Sequence, residues 1–488
     1  LLSLWLYEYD WIAFILVPGI YLYYFAVFFA ASLLFKRVLE TYKLPDWWNY
    51  IFFVFSWLAL EYVKSTGWVA YTYGSLLYSH YRLPAAMQFS RNFWLQNIAY
   101  VLILVPAVFL HAAAQSRDFF LKAGFISALA IAVLNLSFFP WYSSQGQETQ
   151  GMNESQTELF SEPTVQLPVD ADRLNVALIQ HNINSWQTEV NTNRQAFERL
   201  VRLSRQAERA GAELVVWSET AFVPMYRLYR DSDLAPLRKH IGELEEQLDG
   251  SERGRANVLS NLAYARKRYQ SISLSHELHD YLSQAQATYL IGTNDYGQVF
   301  PDEDRWGLFN SILLVRGGVI LAAYHKQRLV PFTETPKWEG LFPQLNELLQ
   351  SNGFAQYAEG KGPPVLSVPL RGKVRSVLKI YTMICYEDSL PLYWPHRLYA
   401  PEAHRLALAE RDFDILLSIS NDSWSPSPIG GLQHLSSSLS RAVEAQRYFL
   451  RGSTSGQTVA VGPEGQILES LPANTPGVLY LRLPLARD

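Results

Sequence analysis

Residues 378–389 read Leu378-Lys379-Ile380-Tyr381-Thr382-Met383-Ile384-Cys385-Tyr386-Glu387-Asp388-Ser389. A mostly apolar run of strand length stops at a cysteine, and a polar turn begins at once. Runs of this kind recur on both sides of it. Leu174–Ile179, Leu214–Trp217, Thr288–Ile291, Ile415–Ser420 and Thr458–Val461 read as short buried strands, and Ser311–Tyr324 reads as a hairpin turned by Gly317-Gly318. Thr192–Gly211 has helical spacing, with Phe197, Leu200, Val201 and Leu203 on one face and a glycine at its end, and a helix is expected around Leu432–Leu450. Strands that alternate with helices predict an α/β layered fold. Residues 227–275 break the pattern. They are polar and helical over Leu237–Leu248 and Arg255–Tyr269, with no strand between, and read as an insertion that is either a solvated appendage or a lid over a site.

Upstream the chain changes character. Residues 1–140 carry 14 charged side chains, whereas residues 141–488 carry 72. Trp11–Phe35, Asn92–Gln115 and Ala123–Trp141 are uncharged runs long enough to cross a bilayer, which takes about 20 residues. Trp47–Leu60 is a shorter fourth, running into Glu61 and Lys64. Gly67–Gln88 is Tyr-rich and suits a segment at headgroup depth. The reading is a multi-span membrane domain over 1–142, a Ser/Gln/Glu/Thr/Pro linker over 143–172 and a globular domain over 173–488. Lys36, Arg37, Lys43, Arg117 and Lys122 face one side and Lys64, Arg82 and Arg91 the other, a bias that puts the globular domain outside the cytoplasm. The chain begins Leu1-Leu2-Ser3 without a methionine, and an incomplete N-terminus is expected.

The net charge of −4 without a long basic run argues against a nucleic-acid binder. A single cysteine excludes an internal disulfide and a CxxC site. Ser275-His276-Glu277-Leu278-His279 has the wrong spacing for two metal ligands on one helix face, and there is no phosphate-binding glycine loop. No metal and no organic cofactor are expected.

Alone, Cys385 is better explained by core packing than by chemistry, and Glu219 or Lys326 alone by an ordinary surface charge. Together they form a pattern. Glu219 follows the strand Leu214–Trp217, Lys326 follows Val319–Tyr324, and Cys385 follows Leu378–Ile384. In α/β sheets the carboxyl ends of strands line the ligand crevice. A carboxylate that can take a thiol proton, an ammonium that can hold an oxyanion and a thiol that can attack a carbonyl are the parts of covalent acyl chemistry.

Trp217-Ser218-Glu219, Lys326 with Leu329-Val330-Pro331-Phe332, and Ile384-Cys385-Tyr386-Glu387 resemble the Glu-Lys-Cys signature of the nitrilase superfamily. With several spans upstream, and with Ser420-Asn421-Asp422-Ser423-Trp424 and Gly430-Gly431-Leu432-Gln433-His434, the chain resembles the apolipoprotein N-acyltransferases within it. The resemblance implies an α-helical transmembrane domain plus an α/β nitrilase-like domain, an α-β-β-α sandwich. It implies Glu219 as general base, Lys326 as oxyanion holder and Cys385 as acyl-accepting nucleophile. Glu334, Tyr386 and Glu387 are implied in support, and Trp186 near the substrate. The implied reaction passes an acyl chain from a phospholipid donor, through a cysteine thioester, to the α-amine of a diacylglyceryl apolipoprotein acceptor. The implied setting is the bacterial inner membrane, multi-pass, with the catalytic domain on the periplasmic side. The alternatives are a membrane-tethered carbon-nitrogen hydrolase acting on a small amide, and a non-enzymatic scaffold. Ser218 replaces the family's usual proline, Ser425-Pro426 its Phe-Gly and Ser453-Thr454-Ser455-Gly456 its Asn-rich turn. The first two lie at the substrate approach in relatives and bear on acyl or peptide preference. Four visible spans are fewer than the family's eight, and the 227–275 segment is longer than the family leads one to expect.

Overall fold

The computed structural model describes residues 167–485, apart from 184–189, 227–230, 251–254, 299–305, 332, 335–356, 393–401 and 425–427, together with parts of 22–98. Twelve strands are described: β1 Arg173–Gln180, β2 Leu214–Trp217, β3 Thr288–Gln298, β4 Trp306–Arg316, β5 Val319–His325, β6 Val365–Pro369, β7 Val377–Ile384, β8 Ile415–Ser420, β9 Tyr448–Ser453, β10 Thr458–Val461, β11 Ile467–Leu471 and β12 Gly477–Pro484. They form two six-stranded sheets, ordered β12-β1-β2-β3-β4-β5 and β11-β10-β9-β8-β7-β6. In each sheet three consecutive strands run parallel, β1-β2-β3 and β7-β8-β9, and the flanking pairs are antiparallel.

Strands inside such a sheet are covered on both faces, so they need apolar side chains on both. Every residue of β2, β8 and β10 is buried, and only Arg173 of β1 is exposed. The two sheets pack face to face through Val176, Leu178, Val216 and Ile312 on one side and Leu366, Ile380, Leu417 and Ile419 on the other. The outer face of the first sheet is covered by the helices Val190–Arg209, through Phe197, Leu200 and Leu203, and Arg255–Gln284, through Leu274, Leu278 and Leu282. The second is covered by Leu408, Leu435 and Val443, from the helices Glu402–Glu410, Pro428–Ser438 and Ser440–Ala445. The result is an α-β-β-α sandwich.

The polar segment after β2 is a helical hairpin, Asp231–Gly250 and Arg255–Gln284, with its own apolar seam of Leu244, Leu262 and Ala265. Its second helix runs on to Gln284 and so joins the cover of the first sheet. The helix expected over Leu432–Leu450 is instead two helices and the start of β9. Gln446 caps the second helix in the left-handed region at φ 55°, and Tyr448–Leu450 then pairs with Ile415–Leu417 of β8. A β-strand wins there because the slot between β8 and β10 is otherwise unfilled. Strands β6, β11 and β12 have no counterpart in the sequence reading.

No helix among the described residues is long and apolar enough to cross a membrane. Residues 123–141 lie outside the described residues, and so do most of 11–35 and 92–115. Of the run at Trp47–Leu60, residues 48–60 lie in the helix Trp48–Ser65, and Trp47 lies outside the described residues. Of the Tyr-rich segment, Ala70, Tyr78 and Met87 are buried, and Met87 packs into the outer core of the second sheet.

Truncation of Leu417, 1% exposed at the centre of the inter-sheet core, is expected to cost about 2–5 kcal/mol in denaturant unfolding of Leu417→Ala. A loss below about 1 kcal/mol would contradict close packing between the sheets.

Candidate active site

Four strand ends converge. Lys326 directly follows β5, Cys385 follows β7, Asn421 follows β8, and Glu219 lies two residues beyond β2. Glu219 Oε1 accepts a hydrogen bond from the Asn310 side-chain amide at 2.7 Å, and Oε2 accepts the backbone N–H of Asn421 at 2.7 Å. Asn421 belongs to the second sheet, so this bond spans the sandwich. The backbone of Asn310 in β4 also accepts the Lys326 N–H at 2.8 Å, which fixes where the lysine leaves its strand. Lys326 Nζ then donates to Glu334 Oε1 at 2.8 Å and lies 3.6 Å from Glu219 Oε1. Glu334 is steadied by the N–H of Val330, which reaches its Oε2 at 2.7 Å. The structure thus brings Glu219, Lys326 and Glu334 together.

Glu219, Lys326 and Cys385 are withdrawn from water, and burial is the largest single influence on the titration of each. Burial pushes the Glu219 carboxyl above its ordinary range, against the pull of Lys326. Burial alone would depress Lys326, but Glu334 and Glu219 outweigh it and hold the ammonium above the usual lysine range. Burial, joined by the charge of Glu219, raises the Cys385 thiol well above its ordinary value. The site therefore combines a weakly acidic thiol, a carboxyl of enhanced basicity and a lysine whose charged form is favoured.

Cys385 sits in a sharp turn with φ 50° and ψ −114°, a backbone conformation that costs roughly 1–3 kcal/mol in a non-glycine residue. Its N–H donates to Ile419 O at 2.8 Å, and its carbonyl accepts the Asp388 N–H at 2.9 Å. Glu387 holds the turn from below. Its carboxylate accepts the N–H groups of Ile384, Gln327 and Arg328 at 2.8, 2.9 and 2.9 Å and the Tyr324 hydroxyl at 2.8 Å. Gln327 and Arg328 directly follow Lys326, so one carboxylate ties the lysine-bearing loop to the cysteine-bearing turn. The hydroxyl of Tyr386 donates to Ala70 O at 2.5 Å and joins this turn to the N-terminal region. Trp186 lies outside the described residues.

Sequence reasoning missed Asn310, a polar residue in the middle of an apolar strand, and gave Asn421 no role although its motif is visible. A buried amide at 2% exposure in β4 is a signal only once its carboxylate partner is known. Among the described residues no group of His, Cys, Asp and Glu could hold a metal ion.

The carbon-nitrogen hydrolase family model matches residues 175–487. Apolipoprotein N-acyltransferase 1 of Treponema denticola is 26% identical over 443 residues, which is 87% of this chain and 69% of that protein. Apolipoprotein N-acyltransferase 1 of Treponema pallidum is 28% identical over 443 residues, 88% of this chain and 69% of that protein. Apolipoprotein N-acyltransferase of Azotobacter vinelandii is 29% identical over 313 residues, 63% of this chain and 47% of that protein.

Removing the Glu387 carboxylate takes the acceptor from the N–H groups of Ile384, Gln327 and Arg328, at about 1–3 kcal/mol per buried group, and leaves the Tyr324 hydroxyl with His404 Nε2 at 3.0 Å. Glu387→Ala is expected to lose about 3 kcal/mol or more in chemical denaturation, and the isosteric Glu387→Gln less. Equal stability of Glu387→Ala and the wild type would rule out the tie between the two loops.

Proposed function

The chain belongs to the carbon-nitrogen hydrolase family, and we propose that within it this protein is an N-acyltransferase that moves an acyl chain from a phospholipid to the α-amine of an apolipoprotein's S-diacylglyceryl cysteine. The observation that carries the reading is the buried Glu219–Lys326–Glu334 ion cluster beside a lone cysteine on a strained strand-end turn. The resemblance of most of the chain to apolipoprotein N-acyltransferases supports this acceptor over a small soluble amide.

In the first half-reaction Cys385 Sγ attacks the ester carbonyl while Glu219 takes the thiol proton, and the oxyanion is held by the Lys326 ammonium. The ester C–O bond then breaks. Glu219 returns the proton to the departing alkoxide, leaving an acyl thioester and a lysophospholipid. In the second half-reaction the free α-amine attacks the thioester and passes a proton to Glu219. The C–S bond breaks, the proton goes on to sulfur, and the amide leaves. A raised Glu219 suits both transfers, because a stronger carboxylate base meets a less acidic donor with a smaller mismatch. Glu334 keeps Lys326 oriented, Glu387 and Tyr386 hold the turn, and Trp186 is assigned to the substrate approach.

Both substrates carry acyl chains, so the site must open at a bilayer. We assign the apolar runs of residues 1–142 to a membrane domain, 143–172 to a linker and 173–488 to the catalytic domain, on the periplasmic side of a bacterial inner membrane. The apolar runs and the Lys/Arg bias support that arrangement.

The direct test is intact mass of detergent-purified protein after incubation with phospholipid. The expected result is an acyl adduct on wild type and none on Cys385→Ala, labile to hydroxylamine and discharged by a diacylglyceryl peptide. No adduct under any lipid condition, with Cys385 still open to alkylation, would favour a hydrolase acting on small amides instead.

The pH dependence follows from Glu219. Only its carboxylate form accepts a proton, so acylation rises with pH along a limb displaced above the ordinary glutamate value of 4.5. Glu334 adds to that displacement, and its loss frees Lys326 to turn wholly to Glu219, which lowers the limb again. Glu334→Gln should therefore move the acid limb to lower pH. A limb that stays or moves up would separate Glu219 from the proton transfer.

A further inference from the structure

Behind the cysteine turn lies a second set of charges that the reaction above does not use. Asp388, His434 and Arg451 are fully buried, and Asp422 is 5% exposed. His434 sits between the two carboxylates, with Nε2 3.0 Å from Asp388 Oδ1 and Nδ1 2.8 Å from Asp422 Oδ1. Arg451, in β9, bridges the same pair. Its Nε donates to Asp388 Oδ2 at 3.3 Å and its Nη2 to Asp422 Oδ2 at 3.0 Å. Serine hydroxyls of β8 and β9 join the set, Ser418 donating to Asp388 Oδ2 at 2.6 Å, Ser453 to Asp422 Oδ2 at 2.9 Å and Ser420 to Asp422 Oδ1 at 3.1 Å. A side chain at Gly456 would collide with the Asp422 carboxylate, so the backbone there is shaped around the cluster.

The two carboxylates stand at telling places. The N–H of Asp388 holds the carbonyl of Cys385, and Asp422 directly follows Asn421, whose N–H holds Glu219. One end of the cluster is therefore fastened to the nucleophile's turn and the other to the base's cradle. A carboxylate faces each ring nitrogen of His434, and Arg451 Nη2 also lies 3.1 Å from Nδ1; the two anions favour an imidazolium ring that donates from both nitrogens. Two anions and two cations then balance. Burial and Arg451 work against that charge, but Asp388 and Asp422 outweigh them and raise His434 to about 9. A core need not be charged to be stable, since buried ion pairs often gain nothing over apolar packing. What charge-assisted bonds supply here is direction, because each of the four groups fixes two others at hydrogen-bond length.

We infer that Asp388, Asp422, His434 and Arg451 form a positioning cluster that sets the separation of Cys385 from Glu219, with His434 as its keystone. The inference rests on the proposed roles of those two residues. None of the four touches substrate. Their effect on rate comes through alignment, where a displacement of about 1 Å can cost a factor of about 100.

The test is the pre-steady-state burst of nitrophenolate from p-nitrophenyl butyrate, which reports acylation of Cys385 alone, taken across the acid to weakly alkaline range with the full chain in detergent. Wild type, Glu219→Gln, His434→Gln and the double variant Ser418→Ala/Ser453→Ala are compared, each normalised to the folded fraction from its melting transition. His434→Gln is expected to lose about 100-fold in burst rate, and its profile should lose the Glu219 limb and climb with pH as that of Glu219→Gln does. The serine double variant, which keeps every charge and nearly all the volume, should lose about tenfold in the same sense and decides the matter alone if His434→Gln does not fold. A merely structural role would lower the folded fraction and leave the profile of the folded molecules unmoved. Burst rates within about threefold of wild type with an unmoved profile overturn the inference. If Glu219→Gln itself keeps the wild-type burst and profile, the base assignment fails, and the inference falls with it.

Discussion

A lysine ammonium with no exposed surface is the constraint around which this site is organised. Such a charge is tolerable in a protein interior only if anions accompany it, and each added anion must in turn be supplied with donors. Lys326 has Glu334 at 2.8 Å and Glu219 at 3.6 Å. Glu219 needs the Asn310 amide and the Asn421 N–H, and Glu334 needs the Val330 N–H. Those donors come from both sheets and from the loop after β5. Satisfying one cation therefore commits the sandwich to a single alignment of its strand ends, and the cysteine turn is locked to that alignment through Ile419 O and the Glu387 carboxylate.

Burial is what gives the chemistry its character. The same three side chains at a surface would be an acid, a base and a thiol near their ordinary strengths. Inside the sandwich the carboxyl becomes a stronger base, the thiol a weaker acid and the ammonium a fixed charge. Hydrogen bonds to Glu219 moderate the first of these, so the site remains able to ionise. Glu387 is likewise pushed up by burial, but its three backbone N–H partners make it an anchor rather than a reagent.

The part of the site that could be read in the sequence is the part that punctuates an apolar run. Glu219, Lys326 and Cys385 each end such a run, and the run itself is visible because both faces of its strand are covered. Asn310 was hidden because it interrupts a strand instead of ending it, and nothing local distinguishes a buried amide from a tolerated polar residue. The roles of Asp388, His434 and Arg451 were hidden because charge in a core is legible only through its partners, which lie 12 to 63 positions away in sequence. For the fold, Tyr448–Leu450 carried a helical pattern on from Ser440–Ala445, and only the vacancy beside β8 made it a strand. Strand β12 alternates buried and half-exposed residues, the mark of an outer strand, which is weaker than the continuous runs of the inner ones.

That outer strand has a consequence for the order in which the molecule can assemble. β12 pairs with β1 over its whole length, Arg173 opposite Pro484 through Gln180 opposite Gly477. As the ribosome delivers the chain, β1 emerges early and keeps one bare edge until residue 484 has followed it. Contacts that bridge so much sequence are slow to form, and bare edges invite foreign strands. The domain thus spends its synthesis with its first sheet unfinished, and a cell that makes this protein must shelter that edge for the time needed to translate some three hundred residues.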